Sequence, residues 1–163
     1  MSSPHQSEPH SISHTHEWTL WAVAVACILH PVEEFATGWQ AWARTALGIG
    51  MPSALFIVAN GILALVALRM ARVGWRQPTL SLVIPSATLV NAVFFHILPT
   101  VTQHQRSPGV YTAALLYVPF STWALVGAFR DGVGWKPIVA GIAGGTALML
   151  VVFLSARTFV PAG

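Results

Sequence analysis

Apolar residues run along this chain in stretches of near-spanning length, roughly residues 18 to 38, 53 to 70, 79 to 102, 109 to 129 and 137 to 157. About 20 helical residues cross the hydrocarbon core of a bilayer, so each stretch predicts one membrane span. The breaks carry turn chemistry: Gly48, Gly50 and Pro52 before the second stretch, Gln77-Pro78 before the third, Ser107-Pro108-Gly109 before the fourth, and Asp131 to Pro137 before the fifth. The expected fold is an all-α integral membrane protein, a five-transmembrane-helix bundle forming one domain over residues 18–160, with no room for a soluble domain.

Trp18, Trp21, Trp39, Trp42, Trp75 and Trp135 fall at or near predicted span ends, where indole rings favour the headgroup region. Trp123 falls inside a span and is expected to pack within the bundle. A composition of 55% hydrophobic and 8% charged residues agrees with a chain solvated by lipid. The net charge of +3 comes from scattered loop residues and reads as a topology signal, not as a nucleic-acid surface. With the amino terminus cytoplasmic, inner loops hold Arg69, Arg72, Arg76, Arg130 and Lys136, against Arg44, Arg106 and Arg157 outside. That bias predicts a cytoplasmic amino terminus and an external carboxyl terminus.

Residues 1–17 are rich in Ser, Pro and His and lack Lys and Arg, so they do not read as a signal peptide. His5, His10, His14 and His16 offer metal-binding groups, but such tracts are compositional signals only, and the expectation is a disordered, solvated tail. Cys27, the single cysteine, lies in the first span, which excludes an internal disulfide and predicts a packed thiol.

Of all the Asp, Glu, Lys and Arg residues, only Glu33 and Glu34 lie well inside a predicted span. A charge at bilayer depth costs a few kcal/mol, and no basic residue lies at that depth to pair with them. On a helix, Glu33 and Glu34 follow His30 by three and four positions, so the three project from one side. Pro31 cannot donate to the Cys27 carbonyl and predicts a kink, or a restart that would leave the glutamates near a helix amino terminus. The third span carries Asn91 and His96, with Thr100 and Gln103 following His96 on one face, and its Pro85 and Pro99 suit a bent helix lining a polar cavity.

Depths can be compared at 1.5 Å per residue: His30 to Glu34 lie roughly 18 to 24 Å from the inner end of their span, and His96 about 25 Å. Asn60 lies about 10 Å and Tyr117 about 12 Å below the outer surface. One polar layer therefore groups His30, Glu33, Glu34, Asn60, Asn91, His96 and Tyr117. Asn60 and Tyr117 read first as interhelical hydrogen-bond glue, and Asn91 as glue or site. The candidate catalytic and metal-ligating set is His30, Glu33, Glu34 and His96. In the fifth span, Gly141 and Gly145 form a Gly-x-x-x-Gly pattern that permits close helix contact, within the chain or in a homo-oligomer.

His30-Pro31-Val32-Glu33-Glu34, a later His96 and the Ser107-Pro108-Gly109 turn together resemble a family of bacterial multi-pass membrane proteins named for its His-x-x-Glu-Glu motif. The resemblance implies a location in the bacterial inner membrane and singles out His30, Glu33, Glu34, His96, Pro108 and Gly109. Arg106 stands where the family's Tyr-x-Pro-Gly pattern has Tyr. The family implies no reaction.

Three functions compete, beside a purely structural or partner-binding membrane protein, a reading that leaves the buried carboxylates unexplained. A membrane enzyme would bind divalent zinc, iron or manganese through imidazole and carboxylate. Dinuclear bundle sites use two histidines with four carboxylates, so two of each favour a single ion unless His104 or another subunit contributes. Metal-free acid/base chemistry on a lipid-soluble substrate would use one glutamate protonated and one ionised. Proton-coupled transport would use the glutamates as exchangeable sites, although no internal repeat is evident. Serine-nucleophile, P-loop and dinucleotide motifs are absent from the sequence.

Overall fold

The computed structural model describes residues 12–159, which are helical apart from turns and short connections. Among the described residues, five helices are long and apolar enough to cross a membrane: α1 (Trp18–Thr37), α3 (Ser53–Arg76), α4 (Pro78–Thr102), α5 (Val110–Arg130) and α6 (Trp135–Arg157). They alternate in direction. A short helix, α2 (Trp39–Ala46), follows α1 after a left-handed Gly38 and lies at the face where α1 ends. Each spanning helix begins and ends close to the boundary expected from hydropathy, and α2 was not expected.

Lipid is as apolar as leucine, so close packing and polar contacts hold such a bundle together. Gly141 and Gly145 let α6 lie directly on α4: an added Cβ would stand 2.7 Å from Leu82 Cβ and 2.5 Å from Ser86 Cβ. The Gly-x-x-x-Gly pattern is therefore used within the chain. Thr88 and Ser121 share a buried hydrogen bond of 2.8 Å between α4 and α5. Such bonds contribute about 0.6 to 2 kcal/mol each. α1 and α4 are the most buried helices, while α3 and α6 lie outermost.

α1 runs unbroken through Pro31, so no restart places the glutamates at its own amino terminus. The helical irregularities lie elsewhere. Ala92–Ile97 in α4 and Ala113–Tyr117 in α5 are wide π-helical turns, and the two touch each other. Each ends two residues before a proline, Pro99 or Pro119. A proline ring excludes the carbonyl four residues back and offers no N–H, and widening the preceding turn relieves both.

The solvated tail expected over residues 1–17 is ordered where the structure describes it. His16 N–H and ring Nδ1 bond the Asp131 carboxylate at 2.8 and 2.6 Å, and the Trp75 indole donates to the same carboxylate at 2.8 Å. Glu17 accepts the Trp75 backbone N–H, and His14 bonds Glu17 at 2.8 Å. Buried acceptors at the helix ends attract this segment, which composition alone does not reveal. His5 and His10 lie outside the described residues. Trp123 is 46% exposed and stacks edge-on against Trp18 at 5.3 Å, contrary to the expectation that it packs inside. Its amphipathic ring covers the outside of the bundle.

Candidate functional site

Near the α2 face, α1, α4 and the turn into α5 bring three ionisable side chains together. His30 Nε2 lies 3.5 Å and His96 Nε2 lies 3.3 Å from Glu34 Oε1. The three atoms all fall within 4.8 Å of one another, and the residues are 2%, 0% and 4% exposed for His30, His96 and Glu34. The i, i+4 spacing on α1 stacks His30 over Glu34, and the π turn in α4 carries His96 towards them. The imidazole rings meet edge to face at 4.7 Å, and Tyr117, on the π turn of α5, packs on His30 at 4.4 Å.

Hydrogen bonds on the far side of each ring determine what the rings present. Thr112 donates its hydroxyl to Glu33 Oε2 at 2.6 Å and its backbone N–H to the same oxygen at 2.7 Å. The hydroxyl proton is thus committed, so His30 Nδ1, 2.8 Å away, donates to Thr112 Oγ1. Ser107 Oγ bonds the Phe95 carbonyl at 3.2 Å, the carbonyl that Pro99 displaces from the α4 ladder. A hydroxyl has one proton to give, so His96 Nδ1, 3.1 Å from Ser107 Oγ, is again the donor. In the neutral rings both Nε2 atoms then carry lone pairs towards Glu34, and neither has a hydrogen-bond partner among the described residues.

Glu33 and Glu34, adjacent in sequence, are separated in role. Glu34 turns inward to the histidines. Glu33 is half-buried and accepts the backbone N–H groups of Tyr111 and Thr112 at 3.3 and 2.7 Å, capping the first turn of α5. A carboxylate there meets the positive end of the α5 dipole. The dipole argument for the glutamates therefore applies to a neighbouring helix and not to α1. Glu33 lies outside the three-residue cluster, so of the four residues expected to share a ligand the structure brings together His30, Glu34 and His96.

The polar layer is otherwise assembled as counted by depth. His30, Glu34, Asn60, Asn91 and Tyr117 all line one cavity of about 360 Å³, whose other walls, Thr88 apart, are apolar residues of α2, the α2–α3 connection, α3, α4 and α6. Asn60 donates to the Phe56 carbonyl at 3.0 Å, while Asn91 Oδ1 is buried without a partner. Cys27 is fully buried beside Tyr117, as expected for a packed thiol. His104 is exposed in the α4–α5 loop and takes no part in the cluster. Gln103, on the expected face of α4, donates to the Ala46 carbonyl and ties α2 down at 3.2 Å.

Thr112 and Ser107 were not singled out as site residues, and Gly109 entered only through the Pro-Gly turn of the family resemblance. Gly109 has φ of +90° and closes the cluster: an added Cβ would stand 2.8 Å from Glu34 Cγ, 2.9 Å from His96 Cε1 and 3.0 Å from His30 Cε1. Only glycine satisfies both the backbone angle and the space. The signal was the Pro108-Gly109 turn itself, which read only as a connection. Arg106 donates to the Tyr111 hydroxyl at 3.0 Å and lies over its ring, at the surface and away from the histidines.

The model of a family described as proteins of unknown function with an HXXEE motif matches residues 21–124. This chain belongs to that family. The matched segment takes in most of α1, all of α2, α3 and α4, and most of α5, and so contains His30, Glu33, Glu34, His96 and Gly109. No curated protein and no solved structure matches the chain.

Proposed function

We propose that this protein is a small membrane enzyme whose centre is one divalent transition metal held by His30 Nε2, His96 Nε2 and Glu34 Oε1, acting on a lipid-soluble molecule. The observation that carries the reading is the convergence of two buried, unpartnered Nε2 atoms on one carboxylate oxygen. Three lone-pair-bearing atoms in a low-dielectric site repel one another unless a cation stands between them. Ligands about 2.0–2.2 Å from one ion are themselves separated by roughly 3.3 Å, close to the spacing found here. Two imidazoles and a carboxylate suit zinc, iron or manganese and leave coordination positions open, as catalytic sites do.

Such an ion would polarise a substrate oxygen or lower the pKa of a bound water. The chain's own contributions are orientation and exclusion. Thr112 and Ser107 hold each imidazole by Nδ1, Glu33 anchors Thr112, and Gly109 closes the loop side. Outer partners of this kind typically affect metal affinity 10- to 100-fold. The arginine distribution supports residues 12–17 facing the cytoplasm of a bacterium, with the centre in the outer half of its inner membrane. A reporter fused to each terminus tests that orientation.

The full-length protein with His5, His10 and His14 replaced by alanine is expected to carry one metal ion per chain on elemental analysis. His30→Ala, His96→Ala and Glu34→Gln should each lose it, and Glu33→Gln should keep it with weaker affinity. Folded protein that takes up no zinc, iron or manganese would sink the metal reading. Proton flux in liposomes, abolished by Glu34→Gln, would then mark the transport alternative.

A further inference from the structure

The cavity beside the centre has three properties that together describe an occupant. Its volume, about 360 Å³, sits at the small end of ligand cavities, roughly 300–1,000 Å³, which admits one chain and excludes a two-chain phospholipid. Its walls continue into the lipid-facing surface. Ile62 and Val66 of α3 and Val152 of α6 line it and are 57%, 41% and 40% exposed. α3 and α6 flank the cavity without packing as a pair, so the opening faces the bilayer. Its inner end holds Glu34 and the unpartnered Asn91 Oδ1, and no Lys or Arg lines it.

An ion at the centre could receive one oxygen of a carboxylate or phosphate head, but the remaining charged oxygens would meet Glu34 with no Lys or Arg to receive them. A hydroxyl fits: it gives a proton to Asn91 Oδ1 and keeps an oxygen lone pair for the centre, and it serves whichever way the amide is turned. We propose that the substrate is a neutral single-chain lipophilic alcohol that enters from the membrane between α3 and α6 and places its hydroxyl between Asn91 and the His30–Glu34–His96 cluster. This rests on the cluster being the reaction centre; the entry route and the head group are new.

The test uses full-length protein in lipid nanodiscs and three diazirine probes: a fatty alcohol, the matching fatty acid and a two-chain phospholipid. The alcohol is expected to label cavity residues of α3 and α6 in competition with unlabelled fatty alcohol, and the other two probes are not. Val152→Trp should abolish the labelling, whereas Leu150→Trp, on the exposed side of the same helix, should leave it intact. Ile62→Trp carries the same expectation from the facing helix if Val152→Trp does not fold. Asn91→Leu should weaken alcohol binding about tenfold, the loss of one buried hydrogen bond.

Equal labelling by the fatty acid or the phospholipid overturns the proposal. So does alcohol labelling that neither tryptophan reduces. Metal content measured on the same samples separates the two readings: bound metal without alcohol labelling overturns this proposal alone, and competed alcohol labelling without metal bears it out while removing the metal.

Discussion

At one end of α1, His16 meets Asp131; at the other, His30 meets Glu34. The two clusters use the same chemistry, imidazole against carboxylate, and both rely on glycines that let side chains approach backbone. Gly127 and Gly74 make room for His16 and Glu17, as Gly109 does for the histidine pair. They differ in closure. Both Asp131 oxygens are bonded, by the His16 ring on one side and by the His16 backbone and the Trp75 indole on the other. Glu34 Oε1 faces two Nε2 atoms at 3.5 and 3.3 Å, neither in hydrogen-bonding geometry. A polar cluster that satisfies itself ties the chain together, whereas one that leaves buried atoms open is arranged for something else.

The contrast predicts opposite responses to mutation. Asp131→Ala leaves His16 and the Trp75 indole without their acceptor and should cost about 3 kcal/mol, read as a lowered unfolding midpoint in detergent. Gly109→Ala forces an L side chain to φ +90° and against three side chains, and should cost about 2 kcal/mol while also removing metal. A variant that kept full stability and metal would show that the loop does not close the centre as described.

Acid provides a finer probe of the first cluster. Burial pulls the Asp131 pKa upward, and the bonds from His16 and Trp75 outweigh it, holding the carboxyl below its ordinary 3.8. A carboxyl whose folded pKa is depressed contributes stability that is complete above 3.8 and fades as pH falls through the folded value. Wild-type protein should therefore lose stability below about pH 4 more steeply than Asp131→Asn. Parallel curves would show that Asp131 does not hold residues 13–17 in place.

The smallest stability effect belongs to the second cluster. In metal-free protein, Glu34→Gln should shift stability by less than about 1 kcal/mol, because neutralising an unsatisfied buried charge is often neutral or stabilising. A loss comparable to that of Asp131→Ala would mean that the centre is structural, and would erase the distinction between the two regions.

The spans were legible because crossing a bilayer demands about 20 apolar residues, a constraint strong enough to set the helix ends to within a few residues, except that α3 runs six residues past the expected 70, to Arg76. The eight-residue α2, with Arg44 and Gln40 on it, meets no such constraint and left no comparable mark. The polar layer was legible too, since helical rise converts residue number into depth. The division between Glu33 and Glu34 was not. Adjacent helical residues point about 100° apart, and which one meets a histidine depends on where the first turn of α5 lies. The π turns depend likewise on tertiary register, although Pro99 and Pro119 marked their place. The ordering of residues 13–17 depends on a donor and an acceptor more than 50 residues away in sequence, the Trp75 backbone N–H and the Asp131 carboxylate.

X-ray absorption spectroscopy of metal-loaded protein, with His5, His10 and His14 replaced by alanine, tests whether His30, Glu34 and His96 hold one ion. The open cluster predicts one ion with two imidazole nitrogens and oxygen at about 2.0–2.2 Å, and a spectrum that loses imidazole scattering in His96→Ala. A spectrum unchanged by His96→Ala and by Glu34→Gln would place the ion elsewhere and contradict the account.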